Sequence, residues 1–302
     1  MAFLYRAKQS KSADRLRNLI KTRDIIPVIG VFNPITALLA ESEGFEALYL
    51  SGAALTGSLA MPDIGIITLT ELALATRYIT RVVSTPIIVD ADTGFGETVN
   101  VQRTVRELID AGAAAVQIED QVMPKKCGHL KGKKIVSPDE MVRKIIAAKR
   151  IGGDDILVVA RTDARGVTGL DDAIERALLY VKAGADIIFP EALVDEEEFK
   201  EFAKKVNAPL LANMTEFGKT PYYTINDFRQ WGYKLVIFPV TLLRISLGAM
   251  REALREIKTK GTQKDILDRM MTRNEFYKLI GYSKYEEEDS KIYQESNSII
   301  SR

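Results

Sequence analysis

"TLTELALATRYITRVVSTPIIVDAD", residues 68–92, contains one whole repeat of the architecture: an amphipathic stretch, a break at Ser84 and Thr85, and a short β-branched run that ends in two aspartates. Thr68 followed by Glu71 has capping-box spacing, in which side chains at a helix start satisfy backbone amides that lack an intrahelical acceptor. The run that follows is short and rich in Ile and Val, so it reads as a buried strand. Comparable runs stand at 25–32, 46–52, 114–120, 155–163, 185–192, 209–214 and 234–239. Nearly all are separated by amphipathic stretches such as "SPDEMVRKIIAAKRI" at 137–151, where Ser137, Pro138 and Glu140 mark another helix start. Strands alternating with helices give parallel strands joined by right-handed crossovers, and eight such units predict an α/β fold, a closed (β/α)8 TIM-type barrel. No composition break interrupts the series. Residues 1–302 are therefore expected to form one domain, with a short helix near residues 10–22 before the barrel and a charged helical extension over 261–302.

Charge narrows the partner. Forty-two basic and 41 acidic side chains are interspersed, giving a net charge of +1. No basic face points to nucleic acid and none to a membrane, so the expected partner is a small molecule. No apolar run approaches the roughly 20 residues that span a bilayer, and the N-terminal "MAFLYRAKQSKSADRLRNLI" lacks the apolar core of a signal peptide. A single cysteine cannot form an internal disulfide. Together these features predict a cytoplasmic protein with a free thiol at Cys127.

The residues that end the apolar runs predict a site. Ser51, Asp90, Asp92, Glu119, Asp120, Arg161, Asp163, Glu191 and Asn213 all close strand candidates. In parallel barrels these C-terminal ends converge on one rim, where active sites are built. Carboxylates emerging from buried strands need a counter-charge. Asp90 and Asp92, two residues apart on a strand, are expected to leave the same face and approach one cation. With no histidine or second cysteine nearby, that oxygen-only site suits Mg²⁺ or Mn²⁺ rather than zinc. "KKCGHLKGKK", residues 125–134, holds the only cysteine and the only histidine of the chain. Its polarity and glycines read as a loop, with Lys131, Lys133 and Lys134 expected on a solvated face.

The segments "KKCGH", "VDADTGFG", "QIEDQ", "SGAAL", "MPDIG", "ARTDA" and "FPEA", which fall along the chain in the expected order and at comparable spacing from about residue 10 to 288, resemble the isocitrate lyase and phosphoenolpyruvate mutase superfamily. The resemblance implies a (β/α)8 barrel, Mg²⁺ and carbon–carbon cleavage of a hydroxylated tricarboxylate, 2-methylisocitrate, to pyruvate and succinate in propionate catabolism. It also implies a homotetramer whose C-terminal helices are exchanged between neighbours. By position it assigns substrate binding to Ser51, Gly52 and Ala53, the last where relatives often carry glycine. Metal coordination falls to Asp90 with support from Asp92, and acidic site positions to Asp63, Glu119 and Glu191. Cys127 and Gly128 match the catalytic loop, and Arg161 and Arg244 the carboxylate-binding arginines. Asn213, Met214 and Thr215 match further substrate contacts, and Arg273 a C-terminal contact.

Cleaving a carbon–carbon bond beside a hydroxyl requires a base, an electrophile for the forming carbonyl and an acid for the carbanion. Cys127 is the expected acid, its thiol tuned by Lys125, Lys126 and His129. Asp63 and Tyr49 are both candidates for the base. Glycines at 128 and 132 suggest a loop that closes over substrate. Isocitrate lyases of the family carry tryptophan where this chain has Phe189, which leaves room for a methyl group. Isocitrate, oxaloacetate and phosphoenolpyruvate-type substrates are the alternatives within the superfamily. A metal-dependent aldolase on another barrel would not need the thiol.

Overall fold

The computed structural model describes residues 11–301. Eight parallel strands occupy the predicted runs: β1 Ile26–Val31, β2 Ala47–Leu50, β3 Ile87–Asp90, β4 Ala115–Glu119, β5 Leu157–Thr162, β6 Ile187–Pro190, β7 Leu211–Asn213 and β8 Leu235–Phe238. Consecutive strands pair from β1 to β6, β8 lies between β1 and β7, and a parallel bridge from Ile188 to Leu210 joins the remaining edges. The fold is a (β/α)8 barrel.

Strand alternation divides the side chains between two cores. Leu48, Leu50, Ile87, Val89, Val116, Ile118 and Val158 face outward and pack under the helices. Val28, Ala47, Ile88, Ala115, Leu157 and Ile187 fill the barrel interior, which Ala13 and Leu16 of the helix Ser12–Thr22 close at its base. The predicted start of that helix at residue 10 lies outside the described residues. Advancing two residues at a time along the inward face changes the chemistry: Ile88 gives way to Asp90, Gln117 to Glu119, Val159 to Arg161, Phe189 to Glu191 and Leu211 to Asn213. The apolar lower layers thus carry a polar upper layer at the C-terminal rim.

Local signals behave as their chemistry requires. Thr68 and Glu71 form a reciprocal capping box. Ser137 accepts from the Glu140 amide at 3.2 Å, but the Glu140 carboxylate turns to Lys144 at 3.3 Å, so only half of that box forms. After β8 the helix Thr241–Lys260 ends at Gly261, whose φ of 68° is the left-handed cap that glycine adopts without strain. Helices Arg273–Ile280 and Tyr282–Ile300 follow. Among the described residues no helix is long and apolar enough to cross a membrane.

Candidate active site

The rim encloses a cavity of about 70 Å³, well below the roughly 300 Å³ at which ligand pockets usually begin. The loop carrying Cys127 roofs it. Of the predicted site residues, all line this cavity except Gly52, Asp92, Glu119, Met214 and Arg273. Gly52, Asp92 and Glu119 stand directly behind the lining. The Gly52 amide donates to Asp90 Oδ2 at 3.3 Å. Met214 is a correction: it follows inward-facing Asn213, so alternation turns it outward into the layer under the helices. Arg273 is exposed on the tail and does not line the cavity of its own chain. Asp120, expected on the rim, also faces outward, where Thr162, Tyr180 and Arg176 donate to its carboxylate. Sequence reasoning missed the apolar wall of Ile237, Pro239 and Val240, although Ile237 falls on the inward parity of β8.

Asp90 accepts from Gln117 Nε2 at 3.0 Å and from the Asp92 amide at 3.2 Å. β3 stops at Asp90, and Asp92 sits in a turn with φ 47°, not on the strand; aspartate tolerates that left-handed region. Lys125 reaches Asp92 Oδ1 at 2.7 Å and also pairs with Asp63. Burial opposes charge on Lys125, but Glu119, Asp92, Asp90 and Asp63 together hold its ammonium form. Burial pushes Asp92 up to about 6 against the pull of Lys125. It also pushes Glu119 well above the usual carboxylate range. Neither oxygen of Glu119 has a hydrogen-bond donor, although Arg161 Nη1 lies 3.2 Å from one of them. A buried carboxylate so poorly satisfied fits a neighbouring cation. The hard oxygens of Asp90, Asp92 and Glu119 are the donors that could hold a divalent ion. Among the described residues no three His, Cys, Asp or Glu side chains converge as a complete ligand set, so an ion held here would take further oxygens from solvent or substrate.

Arg161 grips Asp163 through Nε at 2.9 Å and Nη2 at 3.2 Å, and its Nη1 lies 3.4 Å from Glu191. Burial opposes its charge, yet Asp163, Glu119 and Glu191 hold the guanidinium firmly protonated. Burial likewise opposes ionisation of Glu191, but Arg161 and the hydrogen bond from His129 keep it well below the usual carboxylate range. His129 Nε2 is 3.0 Å from Glu191, and its Nδ1 accepts the Lys219 amide at 2.9 Å. An Nδ1 that accepts carries no proton, which places the proton on Nε2 facing Glu191. The imidazole rests on Gly218, where any Cβ would stand 2.7 Å from the ring. Gly128 is packed as tightly, with a notional Cβ 2.3 Å from Glu191 and 2.6 Å from Arg161. Arg244 is held by Glu216 Oε2 at 2.9 Å.

The expected tuning of Cys127 is corrected. Burial raises the thiol first, with Glu191 adding to it, while the His129 backbone amide and Arg161 pull it down. Lys125 is engaged by Asp63 and Asp92. Lys133, expected in solvent, is buried, its side chain 1% exposed.

Comparison with known proteins agrees with this geometry. The profile of the family described as phosphoenolpyruvate phosphomutase matches residues 16–258. A 2-methylisocitrate lyase from Aeropyrum pernix is 66% identical over 100% of this chain and 98% of its own. A crystal structure of 2,3-dimethylmalate lyase superposes with a TM-score of 0.88 at 35% identity, covering 94% of this chain and 96% of that one. A phosphonopyruvate hydrolase in complex with oxalate and Mg²⁺ gives a TM-score of 0.84 at 28% identity, covering 93% and 99%. With its barrel, its rim of carboxylates and its thiol-bearing loop, the chain belongs to the phosphoenolpyruvate phosphomutase family, within the isocitrate lyase and phosphoenolpyruvate mutase superfamily, and is a lyase.

Proposed function

We propose that the enzyme is a Mg²⁺-dependent lyase that cleaves 2-methylisocitrate to pyruvate and succinate. The observation that carries this reading is the lone thiol of Cys127 lining one cavity with the carboxylates of Asp63, Asp90 and Glu191 and the guanidinium groups of Arg161 and Arg244. Asp90, with Asp92 and Glu119 beside it, would hold Mg²⁺, which when bound supplies the Lewis acidity that polarises the substrate hydroxyl and its neighbouring carboxylate. Arg161, protonated and fixed by Asp163, is placed to pair with a distal carboxylate, as is Arg244 once it leaves Glu216. Ser51, Asn213 and Thr215 line the same wall.

Asp63 is the better base. The phenol of Tyr49 is pushed well above its ordinary value by burial and by Asp90, so it holds its proton, and it donates to Gln117 at 2.6 Å. Asp63 takes the hydroxyl proton as the carbonyl of pyruvate forms and the adjacent carbon–carbon bond breaks. The electron pair left on the succinate half is delocalised into its carboxylate and then quenched by the Cys127 proton. Steady-state assays with 2-methylisocitrate, isocitrate and oxaloacetate test the reading; turnover of oxaloacetate alone would overturn it.

Selectivity rests on volume, because methylisocitrate and isocitrate share every polar group. One methyl is worth about 1–3 kcal/mol, or roughly 10- to 200-fold in kcat/KM. Phe189 is fully buried and its ring lies 5.3 Å from the Arg161 guanidinium. Wild type is expected to favour methylisocitrate, and Phe189→Trp to narrow the preference by crowding the methyl and overpacking the wall. A wild-type enzyme that prefers isocitrate tenfold would reverse the assignment.

The tail supports assembly. Helices Thr241–Lys260, Arg273–Ile280 and Tyr282–Ile300 bury no residue within the chain, yet they expose Leu254, Ile257, Phe276 and Ile292. A homotetramer with exchanged tails would cover these residues and could bring Arg273 to a neighbour's rim. Sedimentation at micromolar concentration is expected to show it; a monomer would refute it.

A further inference from the structure

Lys133 lies at the far end of the catalytic loop, six residues beyond Cys127. A lysine buried this deeply is uncommon unless it is paired, and this one has two partners. Its Nζ is 2.6 Å from Asp163 Oδ1, where both side chains are at most 1% exposed, and it also donates to the carbonyl of Gly128. The second contact ties the lysine to the peptide that joins Gly128 to His129, one residue beyond Cys127. The first places it on the acceptor that holds Arg161, since Asp163 Oδ1 also receives Arg161 Nη2 at 3.2 Å. The loop and the arginine therefore share one carboxylate oxygen.

We propose that Lys133 is a positioning residue that couples closure of the catalytic loop to the setting of Arg161 through their shared acceptor, Asp163. The coupling rests on the lyase reading above and deepens it. With the loop closed, part of the charge of Asp163 is taken by Lys133, and Arg161 is left to face Glu191, Glu119 and substrate. With the loop withdrawn, Asp163 has Arg161 as its remaining cation, and the guanidinium is drawn away from the position in which it meets a carboxylate. The same movement carries Gly128 off Glu191 and Arg161, against which it is packed. A cavity of about 70 Å³ is too small for a tricarboxylate, so the loop that carries Cys127 has to move for substrate to enter, and in this proposal the Lys133 contacts open with it. Substrate binding is thereby made sensitive to whether the thiol has been delivered.

Because Cys127 is the only cysteine, its alkylation by iodoacetamide, followed by intact mass, reads loop position without an activity assay. In wild type, pyruvate and succinate with Mg²⁺ are expected to slow alkylation. In Lys133→Met, alkylation is expected to be faster, product protection to be weak, and kcat to fall roughly 100-fold, the scale set by ångström-level misplacement of reacting groups. Lys133→Arg, which returns a cation, is expected to recover most of both readouts, and Lys131→Met, an exposed lysine of the same loop, to behave as wild type. Normal alkylation and protection in Lys133→Met would overturn the proposal even if kcat fell, because the lysine would then act in the chemistry and not by position. Should Lys133→Met fail to fold, Lys133→Arg carries the test: protection equal to that of an unliganded wild type would assign the effect to packing and overturn it. A wild type inactive on methylisocitrate but protected by products would count against the substrate and leave the coupling standing.

Discussion

Cys127→Ser is expected to lower kcat by about 10²- to 10⁴-fold, the usual cost of removing a positioned general acid, while pyruvate and succinate still bind. Serine preserves the shape of the loop, so Gly128 keeps its place against Glu191 and Arg161, but its hydroxyl surrenders a proton far less readily than a thiol. The wild-type pH profile should carry the signature of the same group. Activity requires the protonated thiol, so kcat falls as pH rises through the thiol's value. Burial and Glu191 raise that value, which puts the alkaline limb above the ordinary thiol range of about 8.5. The serine variant should lack the limb. Steady-state kinetics from neutral to alkaline pH, with calorimetry of product binding, decide it; near-normal kcat in Cys127→Ser would remove the thiol from the chemistry.

Stripping the enzyme of divalent cations is expected to suppress turnover by at least roughly 1000-fold, since Lewis-acid stabilisation is worth several kcal/mol and each decade of rate about 1.4 kcal/mol. Mg²⁺ should restore it. The structural ground is Glu119, which has Arg161 beside one oxygen and no hydrogen-bond donor on either, next to buried Asp90 and Asp92, the latter sharing Lys125 with Asp63. Passage over chelating resin, metal analysis and titration with Mg²⁺ make the measurement. Full activity in a preparation shown to be free of metal would defeat the proposal. Asp90→Asn should weaken Mg²⁺ affinity more than Asp92→Asn, because Asp90 lines the cavity and Asp92 stands behind it.

The barrel was legible because strands that must be buried on both faces leave compact β-branched runs, and the rim was legible because polar residues interrupt those runs at their ends. What could not be seen was direction. Met214 and Asn213 are adjacent in sequence and face opposite layers; the run 209–214 does not show which parity points inward until β7 is placed beside β8. Glu119 and Asp120 pose the same ambiguity. Asp92 lies past the end of its strand because the chain turns through a left-handed residue there, which a D-x-D pattern does not announce. Lys133 differs for another reason: in a polar loop composition predicts solvent, whereas a fold-back contact to Asp163, 30 residues away, depends on tertiary closure. Cys127 stood out by its isolation in the sequence, but the burial that raises its thiol did not, and Lys125, two residues before it, is committed in space to Asp63 and Asp92.

The opposite facing of Glu119 and Asp120 separates two kinds of evolutionary freedom. Asp120 belongs to the scaffold: Tyr180, Thr162 and Arg176 meet on it, and Arg176 in turn holds the Val136 carbonyl at the base of the catalytic loop. Glu119 faces the barrel interior beside Arg161. A library that varies only inward, rim-layer positions such as 119, 191 and 213 can therefore search for new substrates without touching the outer network that holds strand to helix. A library that includes 120, 176 and 180 would return mostly misfolded chains. The pleat of a single strand thus divides this protein into a part that can innovate and a part that must be kept.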